Sequence, residues 1–183
     1  MKYLLTHQET ERLKFRKLEV SDFEVWQELF VEENTRKMLG MQDFKSSKEC
    51  CEKWFEWTFH RYENNLGGQN ILIEKSSGEI VGQAGLLVRE VSGNQELEIA
   101  YSILPKNRQK GFALEAARKC KDFAFENDFH HRLISMIIPE NSNSKKTAEK
   151  NGLKFKEQIV FHEQLFDIHE ITKENWLIKN KLI

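Results

Sequence analysis

The stretch Glu98-Ile-Ala-Tyr-Ser-Ile-Leu-Pro-Lys-Asn-Arg-Gln-Lys-Gly-Phe-Ala113 decides the reading of this chain. Its first half alternates: Leu97, Ile99 and Tyr101 share one side of a strand, and Glu98, Ala100 and Ser102 share the other. The strand ends near Leu104, a loop carries Lys106, Arg108 and Lys110, and a helix opens near Gly111. The first turn of a helix exposes unpaired N–H groups and the positive end of its dipole, so such a junction receives phosphates. Gly111 removes a side chain where a ligand must come close, and Ala113 keeps the next turn small. Residues 105–121 hold six Lys and Arg and one acid, Glu115, within a chain of 28 basic and 29 acidic residues. Charge and glycine alone also fit an ordinary solvated helix start. The two Gly-rich phosphate signatures, Gly-x-x-x-x-Gly-Lys-Ser/Thr and Gly-x-Gly-x-x-Gly, are both absent.

Working upstream, Asn70–Glu74, Ile80–Arg89 and Glu96–Leu104 read as strands joined by Ser-Ser-Gly and Ser-Gly-Asn turns, an antiparallel meander. Before Gly67-Gly68 the period is helical: Ser46-Ser47-Lys48-Glu49 is a capping box, followed by apolar positions 50, 51, 54, 55, 58, 59 and 62. Ser21 with Glu24 suggests an earlier capping box, with Val20 and Val25 as its hydrophobic staple, after a strand over Arg12–Leu18. Downstream, Phe112, Ala113, Ala116, Ala117, Cys120, Phe123 and Ala124 share a helix face. Leu133–Ile138 is apolar on both faces, which suits a covered strand parallel to a neighbour. A short helix over 144–151 ends at Gly152, Phe155–Phe161 and Leu165–Ile171 form a closing pair, and Lys173–Asn180 is a last helix. The fold class is α+β, in α/β/α layers, with a mixed sheet carrying helices on both faces.

The 183 residues suit one domain spanning 1–183 and can bury a core without staples. A formal charge of −1 argues against a dedicated nucleic-acid binder. Cys50, Cys51 and Cys120 lack any Cys-x-x-Cys or zinc-like spacing, so reduced thiols and no metal are expected. Met1–Phe15 lacks the apolar core of a secretory signal, and no apolar run is long enough to span a membrane. The expectation is a soluble, cytoplasmic protein with no membrane partner, either a monomer or a homodimer.

Arg108-Gln-Lys-Gly-Phe-Ala113 fits Arg/Gln-x-x-Gly-x-Gly/Ala and resembles the pyrophosphate motif of the GCN5-related N-acetyltransferases (GNAT). Glu98-Ile-Ala-Tyr101 resembles the Glu-Ile-Gly-Tyr strand of the branch that acetylates ribosomal-protein N-termini (RimJ/RimL-like). Asn141-Ser-Asn-Ser144 and Glu149-Lys-Asn-Gly-Leu153 resemble that branch's Asn-x-x-Ser and Glu-Lys-x-Gly-Phe. Glu11-Arg-Leu-Lys-Phe-Arg16 with Asp22 resembles its opening strand, and Thr172-Lys-Glu-Asn-Trp176 its closing helix. The resemblance spans the chain in the right order.

The resemblance implies an acyltransferase using acetyl-CoA as co-substrate, bound where two parallel strands near 97–104 and 132–138 splay apart. It implies that the backbone of Ile103 and Leu104 pairs with the pantetheine. Main-chain N–H groups of Gln109, Lys110, Gly111, Phe112 and Ala113 would hold the pyrophosphate, with added charge from Arg108 and Lys110. Asn141 would bond the pantetheine arm, although Asn also serves often as a turn or cap residue. Transfer to an amine needs a base, for which Glu98 is the candidate, with Glu96 as a neighbour of similar character. Many relatives place a Tyr acid four residues before the Gly of the Glu-Lys-x-Gly segment. Here that position is Ala148, so Ser144 becomes the donor to the leaving thiolate, its other reading being a helix N-cap. The acceptor is expected to be a protein N-terminal amine or, alternatively, a small amine such as a polyamine or aminoglycoside. A CoA-binding module without catalysis is the reading from a different class. Six acids and no bases between Glu19 and Glu33 suggest a negative rim to an acceptor groove, or a solvated helix face.

Overall fold

The computed structural model describes residues 2–181; Met1, Leu182 and Ile183, the ends of the expected domain, lie outside the described residues. Strands β1 (Leu13–Arg16), β2 (Gly67–Glu74), β3 (Ile80–Val91), β4 (Asn94–Ile103), β5 (Arg132–Ile137), β6 (Lys154–Phe161) and β7 (Gln164–Thr172) form one sheet. Their order is β1-β2-β3-β4-β5-β7-β6. Every neighbour pair is antiparallel except β4 with β5, which are parallel and share a single pairing, Glu98 opposite Ile134. The helices are α1 (Phe23–Gln27), α2 (Glu33–Met38), α3 (Ser47–Glu63), α4 (Phe112–Glu126), α5 (Ser142–Lys150) and α6 (Lys173–Lys181). This is the expected mixed sheet with helices on both faces.

Alternation along β4 divides the core. Leu97, Ile99 and Ile103 pack with Phe112, Ala116, Ala117 and Cys120 of α4. On the other face Ile71 and Leu104 pack with Trp26, Phe30, Cys50, Cys51 and Phe55. Burial pushes the Cys51 thiol up to about 12, so it is a core side chain rather than a nucleophile. Beyond α3, Val91, Ile134, Met136, Ile159 and Ile168 form a third cluster made only of strand residues.

The second capping box forms as read: the Ser46 hydroxyl accepts from Glu49 N, and the Glu49 carboxylate accepts from Lys45 N, one residue before the cap. The first does not. A 3-10 turn over Val20–Asp22 precedes α1, and Asp22, rather than Ser21, serves the chain by accepting from Glu19 N and from Arg16. Val20 is 75% exposed, so no staple exists. Gly67 and Gly68, read as a break, begin β2. A Cβ at Gly67 would stand 2.0 Å from the Leu86 carbonyl oxygen, and one at Gly68 would strike the Tyr62 ring.

Candidate active site

The β4–β5 pair opens because each strand has other obligations. The ladder with β3 fixes which backbone groups of β4 remain: Leu104 N donates to Val81 O at 3.0 Å, so alternate residues of β4 bond to β3. The groups of Leu97, Ile99, Tyr101 and Ile103 therefore face β5. Past the Glu98–Ile134 pairing the Ser135 hydroxyl donates to Ile99 O at 2.9 Å, and no further β4–β5 pairing follows. Tyr101 and Ile103 are left along an open edge. This corrects the expected pair Ile103 and Leu104: the Leu104 N–H is given to Val81, and its carbonyl accepts from Asn107 N at 2.8 Å.

At the end of that edge, a 3-10 turn over Pro105–Asn107 leads into α4. Gly111 has φ +86°, the left-handed region, so glycine here meets a backbone requirement as well as leaving space. Gln109 is also left-handed, at φ +63°. Among the described residues, the N–H groups of Gln109, Lys110, Gly111, Phe112 and Ala113 donate to no other residue. These five donors lie in the turn that opens a fifteen-residue helix, at the positive end of its dipole.

The charges around this turn are committed differently from the sequence expectation. Arg108 reaches away to α2: its Nη1 donates to Glu32 at 2.7 Å, its Nη2 to Thr35 Oγ1 at 2.8 Å, and its Nε to Ile103 O at 3.3 Å. The Thr35 hydroxyl and the Arg108 guanidinium together hold the Glu32 carboxyl below its ordinary value. Lys110 Nζ donates to Asn107 Oδ1 at 3.0 Å. The cation beside the turn is one that pattern reading missed, Arg12 at the start of the chain. Its guanidinium lies 4.7 Å from the Phe112 ring centre, donates to Lys110 O at 3.0 Å and pairs with Glu115 at 2.6 Å. Burial would raise the Glu115 carboxyl, but bonds from Thr10, Arg12 N and the Arg12 side chain outweigh it and hold the group below its ordinary value. The lone acid of the basic segment therefore ties the first turn of α4 to the segment that leads into β1.

A cleft of about 470 Å³ runs from this turn to α5, lined among others by Tyr101, Ser102, Ile103, Gly111, Asn141 and Ser144. Asn141 is the N-cap of α5, its Oδ1 accepting from Ser144 N at 3.1 Å. Ser144 thus sits in the first turn rather than at the cap. The Tyr101 hydroxyl donates to Ser144 O at 3.0 Å and stands 3.1 Å from Ser144 Oγ. Burial raises the Tyr101 phenol above its usual value, keeping it protonated. Ala148 is buried in the core beneath α5.

Glu98 lies on the opposite face, at the point where β4 and β5 part, outside the lining of the cleft. It is 6% exposed, and its Oε2 accepts from Arg89 Nε at 2.7 Å. Oε1 has no partner among the described residues. Glu96, the neighbouring acid, is fully engaged by Arg132. Of the acidic run, Asp22 pairs with Arg16, Glu28 with Lys106 and Glu32 with Arg108, so half of the supposed rim is tied down. Among the described residues no cluster of His, Cys, Asp and Glu is placed to hold a metal, and no helix is long and apolar enough to cross a membrane.

A family model described as "Acetyltransferase (GNAT) domain" matches residues 12–154. YkkB of Bacillus subtilis is 30% identical over 121 residues, 66% of this chain and 67% of that protein. YnaD of the same species, described as an N-acetyltransferase, is 26% identical over 178 residues, 93% of this chain and 99% of that one. Among solved structures, an acetyltransferase from Agrobacterium tumefaciens superposes with a TM-score of 0.74 at 21% identity, over 90% of this chain and 92% of its own. RimL, a ribosomal L7/L12 alpha-N-protein acetyltransferase in complex with coenzyme A, gives 0.74 at 11% identity, and spermidine N-acetyltransferase from Vibrio cholerae, in complex with CoA and spermine, gives 0.72 at 18%. Each covers 92% of this chain, with 98% of the RimL chain and 99% of the spermidine N-acetyltransferase chain.

Proposed function

The chain belongs to the GNAT acetyltransferase family, and from that premise we propose that its single domain moves an acetyl group from acetyl-CoA to the α-amine of a peptide or protein N-terminus. The observation that carries this reading is the row of five unpaired N–H groups at 109–113 beside an open strand edge at Tyr101 and Ile103. The residues present fit the co-substrate. Unpaired donors at a helix N-terminus want an anion, and Asn107 adds a buried Nδ2 with no partner in the wall of the cleft. Acetyl-CoA supplies the activated acyl group as a thioester.

In this reading the N–H groups of 109–113 hold the pyrophosphate, and Arg12, kept in place by Glu115, adds positive charge at its flank. The open backbone groups of Tyr101 and the Ile103 N–H bond the pantetheine as an added strand would, the Ile103 carbonyl being held by Arg108. Asn141 shapes the first turn of α5 through its cap, and the Ser144 hydroxyl, turned from Tyr101 toward the cleft, donates a hydrogen bond to the leaving sulfur, which takes its proton from water. Glu98 receives the proton of the incoming ammonium on Oε1, while Arg89 orients the carboxylate through Oε2. Because Glu98 stands outside the cleft lining, the proton crosses by a water.

Support for a peptide over a polyamine is the resemblance of Glu98-Ile-Ala-Tyr101 and Asn141-Ser-Asn-Ser144 to the branch that acetylates ribosomal-protein N-termini. Acetylation assays on short peptides with free N-termini, N-blocked peptides containing lysine, and spermidine test the proposal by CoA release and mass gain. Gain on the free N-termini alone is expected; gain on spermidine alone would refute it.

A further inference from the structure

Behind the cleft wall lies a hydrogen-bonded chain whose direction is set by its own chemistry. The Trp54 indole N–H, from α3, meets Gln83 Oε1 at 3.1 Å. An indole nitrogen only donates, so this contact fixes the Gln83 amide with its oxygen toward Trp54 and its Nε2 away. Gln83 is fully buried, and that Nε2 has no partner. Directly opposite Gln83 on the β3–β4 ladder is Ser102, on the same face of the sheet, 7% exposed, with its Oγ also buried and unpartnered. Gln83 Nε2 can only donate, and two buried acceptors without a partner share its face of the sheet, Gln69 Oε1 on β2 and Ser102 Oγ directly opposite on β4; the directly opposed Ser102 is assigned as its acceptor. The Ser102 proton is then the one left over. Ser102 lines the cleft, so the chain Trp54, Gln83, Ser102 ends in a hydrogen-bond donor at the cleft wall.

Ser102 leaves β4 on the face that α3 covers, opposite α4 and α5, which carry the phosphate-receiving turn and Ser144. It also shares that face with Glu98. We infer that Ser102, oriented by Gln83 and Trp54, is a specificity determinant that donates to the carbonyl adjoining the acceptor amine, and so selects α-aminoacyl groups over amines that lack a neighbouring hydrogen-bond acceptor. A buried donor rejects a ligand that leaves it unpaired more strongly than it rewards one that pairs it. A protonated polyamine offers only N–H donors and methylenes to this position. The inference rests on the peptide reading above and sharpens it.

The test compares a short peptide with a free N-terminus against the corresponding alkylamine without the adjoining carbonyl, in wild type, Ser102→Ala, Gln83→Met and the double variant. Loss of one hydrogen bond should raise KM for the peptide roughly three- to tenfold in Ser102→Ala. The alkylamine KM and the acetyl-CoA Kd should not move, which also reports an intact fold. Gln83→Met should act in the same direction, and the double variant should be no worse than the poorer single one, because one substitution removes the donor and the other acts only by orienting it. Equal loss on both acceptors, an altered acetyl-CoA Kd, or wild-type behaviour in Ser102→Ala would each overturn the role of Ser102 while leaving N-terminal acetylation standing. Transfer by the wild type to the alkylamine but not to the peptide would overturn that reading as well.

Discussion

Replacing Gly111 separates the conformational demand of the turn from its electrostatics. At φ +86° and ψ −2° an L-residue is strained, by about 1–2 kcal/mol for most side chains but less for Asn and Asp, which enter this region most easily. The added Cβ would lie 3.3 Å from Arg12 Nη2, a tight contact from which the guanidinium must give by a few tenths of an ångström, equally in both variants. Gly111→Asn and Gly111→Asp should therefore unfold alike, each within about 2–4 °C of wild type if the loss is near 1 kcal/mol in a chain this long. Binding should divide them. A carboxylate about 4 Å from a phosphate charge costs about 1 kcal/mol in bulk water and about 4 kcal/mol near a protein surface. Asp should thus bind CoA about 5- to 1,000-fold more weakly than Asn, with the gap narrowing as salt rises. Isothermal titration of CoA into both variants at two ionic strengths, beside scanning calorimetry, measures both effects. Affinities for the two variants within threefold of each other would place the phosphates elsewhere and refute the reasoning.

Further expectations follow the same contacts. Glu98→Gln should lower kcat by up to roughly 10²–10⁴, less where water relays the proton, with CoA affinity unchanged and partial recovery at higher pH; a wild-type rate and pH profile would remove Glu98 from the reaction. Glu115→Gln should cost about 1.5–3 kcal/mol of stability and weaken CoA binding, because it loosens Arg12 and the Lys110 carbonyl. Since the folded Glu115 carboxyl titrates below its ordinary range, the stability gap between wild type and this variant should be full above about pH 5 and shrink as pH falls. Urea melts from pH 3 to 7 read this directly, and a pH-independent gap would contradict it. Ala148→Tyr should not restore a proton donor: the site is 1% exposed core, so overpacking should cost about 1–3 kcal/mol in a denaturant melt, with no gain in kcat.

The sequence was most legible where chemistry and period coincide. The meander, the strand–loop–helix junction at 98–113 and the second capping box all rest on local patterns, and the parallel strand pair followed from the two-sided apolar run at Leu133–Ile138. What escaped depended on partners far along the chain. Arg12 is 98 residues from the carbonyl it holds, and nothing in its own surroundings marks it as part of the turn before α4. Arg108 satisfies the motif yet is bound to Glu32 and Thr35, so a motif position does not fix where a long side chain points. That the Leu104 backbone is committed to Val81 and Asn107 escaped the sequence, because ladder parity has no sequence signal. Ser21 failed as a cap because Asp22 is the residue Arg16 needs, and that pairing tightens the turn. Trp54, Gln83 and Ser102 were each unremarkable in sequence; only their juxtaposition gives the chain a direction.

Amide spectra of the ¹⁵N-labelled protein, titrated in parallel with acetyl-CoA and with acetyl-pantetheine, test the placement of the co-substrate most directly. Acetyl-CoA should shift the amides of residues 109–113, now without partners, together with those of Tyr101 and Ile103 on the open edge. Acetyl-pantetheine, which lacks the nucleotide and its phosphates, should move Tyr101 and Ile103 and leave 109–113 in place. Unmoved 109–113 amides at saturating acetyl-CoA would contradict the account.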